Sequence, residues 1–77
     1  MSKKLKSARQ AKGLSQSQLA EKAGISVRTL QHYEQGSKNF DHARIDTILS
    51  VCNVLGCGFV DVIEDAGIID AIKKLPN

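Results

Sequence analysis

With 77 residues the chain has room for one small domain. Apolar residues make up 42% of it and aromatic residues only 4%, which excludes a disordered chain and predicts a small aliphatic core. The net charge of +3 hides an asymmetry: residues 1–38 carry eight Lys or Arg against two acids, and residues 39–77 carry three against six, so a basic half precedes an acidic one.

The apolar segments are too short to cross a bilayer, and the basic start MSKKLKSAR has no apolar run of the signal-peptide kind. A soluble, cytoplasmic protein with no membrane partner is expected. Helix-period patterns dominate, and strand alternation is largely absent. The first helix is expected from about Ser2 to Lys12, with Leu5, Ala8 and Arg9 on one face and Gly13 as its stop. Ser15 and Gln18 then stand at the spacing of a capping box, which opens a second helix over about 16–23. Leu19, Ala20 and Ala23 form its buried stripe, and Gly24 ends it.

Only Ile25 and Ser26 separate Gly24 from the next helical pattern, over about 27–35. A connection so short forces a sharp corner, and glycine supplies the positive φ that the corner needs. Ser26 is the N-cap of the third helix, Leu30 and Tyr33 its apolar face, and Gly36 its end. At about 100° per residue, Val27, Arg28, Gln31, His32 and Gln35 share an outward arc of about 140° that holds no acid. Arginine can pair with guanine O6 and N7, glutamine with adenine, and a branched apolar side chain can touch the thymine methyl, so the arc suits the edges of DNA bases.

After the loop Ser37-Lys38-Asn39-Phe40, Asp41 is expected to cap a fourth helix, with the stripe Ile45, Ile48, Leu49, Cys52 and Leu55 inward and Gly56 at its end. A short fifth helix is expected over about Phe59 to Glu64. Together these make an all-α bundle of five helices, in which packing must hold helices too short to stand alone. Gly67 to Leu75 shows Ile68, Ile69, Ile72 and Leu75 at helical spacing, an extra C-terminal helix whose stripe either folds back on the core or is presented to another subunit. Cys52 and Cys57 are expected as reduced, partly buried thiols, because C-x4-C with two distant histidines matches neither a disulfide framework nor a metal site. No Ser/Cys–His pair or carboxylate couple is apparent, so no enzymatic activity and no cofactor are expected.

The pattern Leu19-Ala20, Ala23-Gly24-Ile25-Ser26, Leu30, Tyr33-Glu34-x-Gly36 resembles the helix-turn-helix of the phage repressor/Cro family, also called the xenobiotic-response-element family. It extends to Arg9, to Gly13-Leu14-Ser15-Gln16 and to the Leu55-Gly56-Cys57 turn, covering about residues 4 to 64. The resemblance implies a lambda-repressor-like DNA-binding domain over 1–65; residues 66–77 lie outside it, and their apolar stripe makes this C-terminal amphipathic extension a candidate dimerisation segment. It implies a bacterial or phage transcriptional regulator of double-stranded DNA, with a homodimer expected on a nearly palindromic site. Repressor, toxin-binding antitoxin and controller of restriction genes are the biological settings it leaves open.

Carried onto this chain, the resemblance gives Gln16 a phosphate contact and a buttressing role. It turns Val27, Arg28, Gln31 and His32 to the major groove, counts Ser26 with them at the helix N-terminus, and makes Lys38 a backbone clamp. Arg9 and Glu34 match the internal ion pair of the family. The chain departs from the pattern at Val27, where a polar residue is frequent, and in Lys38–Ala43, which has no proline before helix 4. It departs again at Gly58, which replaces a Ser or Asp cap and leaves the fifth helix prone to fray.

Overall fold

The computed structural model describes residues 3–76. Five α-helices follow in order: α1 (Lys3–Ala11), α2 (Gln16–Ala23), α3 (Val27–Gln35), α4 (Ile45–Leu55) and α5 (Ala66–Lys73). Single 3-10 turns, Phe40–His42 and Phe59–Asp61, precede and follow α4. Helix α2 lies centrally against both α3 and α4, while α1 packs on α3 and on the second 3-10 turn. The core is aliphatic: Leu5, Leu19, Ala20, Leu30, Ile48, Val51, Leu55, Val62 and Ile63 meet inside, with Phe40 as the one fully buried aromatic ring. Phe40 receives Tyr33 edge-on, with ring centroids 5.1 Å apart.

Helices α2 and α3 are set by local chemistry. The Ser15 hydroxyl accepts from the Gln18 N–H at 3.1 Å, and the Gln18 carboxamide accepts from the Ser15 N–H at 2.8 Å, completing the box that starts α2. Gly24, at φ +74°, turns the chain so that its N–H and that of Ile25 both reach the Ala20 carbonyl. A Cβ placed there would meet nothing within 4 Å, so the demand for glycine comes from backbone conformation and not from crowding. The first helix ends at Ala11, one residue before its expected end; its expected start, Ser2, lies outside the described residues.

Three expectations change in the second half. Asp41 does not cap α4. Asn39 caps the preceding 3-10 turn, α4 starts after Arg44 without a side-chain cap, and the Asp41 carboxylate instead accepts from the Glu64 and Asp65 N–H groups at 3.1 and 2.8 Å. The 3-10 turn uses up the residues that would have followed Asp41 into a helix.

The buried stripe of α4 is Ile48, Val51, Cys52 and Leu55; Ile45 and Leu49 are 60% and 46% exposed. The apolar surface of this helix is wider than its contact with the core, and Val51 rather than Ile45 or Leu49 is buried.

The expected helix over Phe59 to Glu64 is a single 3-10 turn. Gly58 has no side chain to cap it, and the only help is the Asp61 carboxylate, which accepts from the Gly58 N–H at 2.9 Å. Its anchors are tertiary: Val62 and Ile63 are buried, and the Lys4 ammonium donates to the Val60 and Ile63 carbonyls at 3.2 and 3.0 Å.

The fifth helix therefore lies in the C-terminal segment. Asp65 caps it by accepting from the Ile68 N–H at 3.0 Å. Ile68 and Ile69 rest against the core, whereas Leu75 is 63% exposed, so the segment folds back at its start and stands free at its end.

Candidate nucleic-acid interface

The site is assembled on α3, and a single polar knot fixes how α3 sits. Arg9 Nε and Nη2 donate to the two Glu34 oxygens at 2.8 and 3.0 Å, and Arg9 Nη1 donates to the Leu14 carbonyl at 2.8 Å. Gln16 Nε2 adds a third hydrogen bond to Glu34, at 3.1 Å to Oε1. The side chains of the pair are only 10% and 3% exposed. Burying a guanidinium and a carboxylate is tolerable here because the fork geometry and the two neighbouring partners replace water. The knot ties α1, the α1–α2 turn and the first residue of α2 to the last turn of α3. It blocks rotation of α3 about its own axis.

With α3 so held, its buried side carries Leu30 and Glu34, with Tyr33 and Thr29 half-buried. Val27, Arg28 and Gln35 are exposed on the other side, and Gln31 and His32 are half-buried at its edges. These five form one surface on a rigid element, whose first turn is fixed by Ser26. The Ser26 hydroxyl accepts from the Thr29 N–H at 3.0 Å and donates to Thr29 Oγ1 at 2.9 Å. Ser26 is thus engaged as the N-cap, and the group its end of the helix offers outward is the backbone dipole.

His32 Nδ1 is buried without a hydrogen-bond partner among the described residues, so a polar contact by this ring has to use Nε2. Lys38 lies beyond the C-terminus of α3; its N–H bonds to the His32 carbonyl at 3.2 Å, which holds the loop close, and the residue is exposed. Gln16 is half-buried, with its carboxamide on Glu34, so its side chain supports α3 directly.

Lys4 and Asp41 have roles the sequence reading missed. Lys4 counts toward the basic half, yet its ammonium is committed to two carbonyls near the second 3-10 turn. Arg9 is likewise spent internally. The basic character available to a polyanion therefore comes from the remaining residues. No local signal marks Lys4 or Asp41, because their partners are separated from them by 56 and 59 residues and by 23 and 24 residues.

A rigid corner that presents a helix with an exposed Arg–Gln face and no acid on it is the architecture of a DNA-binding module. The family model described as helix-turn-helix matches residues 5–62, most of the chain and all of α2 and α3. The chain belongs to this family, in its phage repressor/Cro-type branch, and is a DNA-binding transcriptional regulator; the family is one of regulatory domains and not of enzymes. No curated protein matches the chain. No helix among the described residues is long and apolar enough to cross a membrane.

Proposed function

We propose that the chain is a sequence-specific repressor that inserts Val27–Gln35 into the major groove of double-stranded DNA. The observation that carries this reading is the exposed face of α3, held by the buried Arg9–Glu34 pair. Arg28 takes a guanine edge, Gln31 and His32 Nε2 serve as further polar readers, and Val27 makes an apolar contact with a thymine methyl. The N-terminus of α3 at Ser26, the N-terminus of α2 at Gln16, and Lys38 grip phosphates on either side and set the register. The DNA-reading unit is residues 1–65.

One copy of so small a module presents one recognition helix, and affinity rises when two copies engage half-sites about 34–36 Å apart. The exposed apolar residues Ile45, Leu49 and Leu75, with the 66–77 extension, supply material for that homodimer. They equally favour a second reading, in which the chain is an antitoxin that covers a toxin protein with this surface and regulates its own operon through α3. Co-purification with a small partner protein encoded nearby separates the two.

The test is selection of bound duplexes from a random pool at moderate ionic strength, with sizing of the complexes. Enrichment of a palindrome bound by two chains is expected. Recovery of unenriched DNA would overturn the reading.

A further inference from the structure

We propose that Cys52 and Cys57 form a dithiol site that a hydroperoxide closes into an intramolecular disulfide, clipping the end of α4 to the segment that follows it. The backbone has already made the approach. Gly56 ends α4 at φ +65° and donates to the Cys52 carbonyl, and Cys57, one residue further, donates to the same carbonyl at 3.1 Å. That six-to-one closure folds the chain back on the last turn and lays the side chain of the second residue past the helix against the one five positions earlier. At the corner after α2 the same fold-back joins Ile25 to Ala20, an inert aliphatic pair. After α4 it joins two free thiols. At this reversal the two thiols are hydrogen-bonded to each other, so their sulfurs already lie side by side, the placement a disulfide needs.

The two thiols are in different surroundings. Cys52 is buried in the core and Cys57 is half-exposed. Burial pushes the Cys52 thiol up to about 12, with the charge of Cys57 and the hydrogen bond between them adding to it. Burial also raises Cys57, and the hydrogen bond that Cys52 donates to its sulfur only partly opposes this, with the charge of Asp61 raising it further. Cys57, the more exposed of the two sulfurs, is the one a peroxide in solution can reach and so the attacking group, with Cys52 behind it as the resolving one. The Cys57 sulfur displaces one oxygen of hydrogen peroxide and becomes a sulfenic acid, releasing water. The Cys52 sulfur then attacks that sulfur, the S–S bond forms, and the hydroxyl leaves with the Cys52 proton as a second water. Two electrons pass from the thiols to the peroxide.

This inference is independent of what α3 binds. The experiment treats the reduced full-length chain with a small excess of hydrogen peroxide and follows intact mass, free thiols and helical signal. The expected product is a monomer lighter by two hydrogens, with no free thiol, whose fragments stay joined after cleavage at Leu55 and which a dithiol reductant restores. It keeps its helical signal and melts no earlier than the reduced chain. The Cys57→Ser variant, altered at a half-exposed position, should retain its Cys52 thiol under peroxide that consumes both thiols of the unaltered chain. Cross-linked dimers, sulfinic acid without a disulfide, early melting of the oxidised chain, or loss of Cys52 at an unchanged rate in Cys57→Ser would each overturn the proposal.

Discussion

Helices α3 and α4 are both amphipathic and both pack on α2, yet they turn different chemistry outward. Helix α3 is capped by Ser26, locked by a buried ion pair, and exposes Val27, Arg28 and Gln35. Helix α4 begins without a side-chain cap and exposes Ile45 and Leu49. A surface that is to read base edges needs fixed polar groups, because a hydrogen bond gains specificity only when its donor is already aimed. A surface that is to meet another protein needs apolar area and tolerates a less rigid frame. The difference teaches that the polar stiffening of this fold is concentrated on α3, where orientation matters.

The largest effect is expected at the knot. Glu34→Ala strands the Arg9 guanidinium in a nearly closed site and should destabilise the chain by about 3–5 kcal/mol in a denaturant titration. The double variant Arg9→Met/Glu34→Leu should recover most of that loss, because no buried charge remains unpaired. A Glu34→Ala variant as stable as the parent would remove the knot as the feature that distinguishes α3 from α4.

On DNA, Arg28→Ala should cost about 1–3 kcal/mol on the selected duplex, with the loss confined to one base pair per half-site. Equal weakening on every sequence would make Arg28 a phosphate contact. Caps come next. Ser15→Ala should cost about 1 kcal/mol of global stability, since α2 is central and its box is complete. Asp65→Ala should leave global stability closer to the parent's and loosen α5 locally, as faster amide exchange confined to Ala66–Lys73 would reveal. If Asp65→Ala proved the more damaging, the C-terminal helix would have to be counted as part of the core. The smallest effect is expected at Lys38. Lys38→Ala should weaken binding to all duplexes alike and reduce the salt slope by about one.

The contrast between the halves also explains what could be read from the sequence. Ser15 with Gln18, Gly24, Ser26 and Gly36 act on backbone groups within a few residues, so the bounds of α2 and α3 and the outward arc of α3 follow from spacing alone. The second half is governed by partners far along the chain. Asp41 looks like a cap for the helix ahead of it, but the N–H groups it finds belong to Glu64 and Asp65. The α4 stripe had two apolar settings about the helix axis, and only its contact with α2 and the second 3-10 turn chooses Val51 over Ile45 and Leu49. The Phe59–Glu64 segment carries a helical pattern, but with glycine as its cap it closes a single tight turn, held by Lys4 from the other end of the chain.

The central claim is that α3 enters the major groove, and interference by base methylation tests it most directly. Guanines methylated at N7 mark the major groove, and adenines methylated at N3 mark the minor one. In the selected duplex, N7 methylation within each half-site should block binding, and replacing Arg28 by alanine should remove that sensitivity at one guanine. Binding blocked by adenine N3 methylation alone, or blocked by neither, would contradict it.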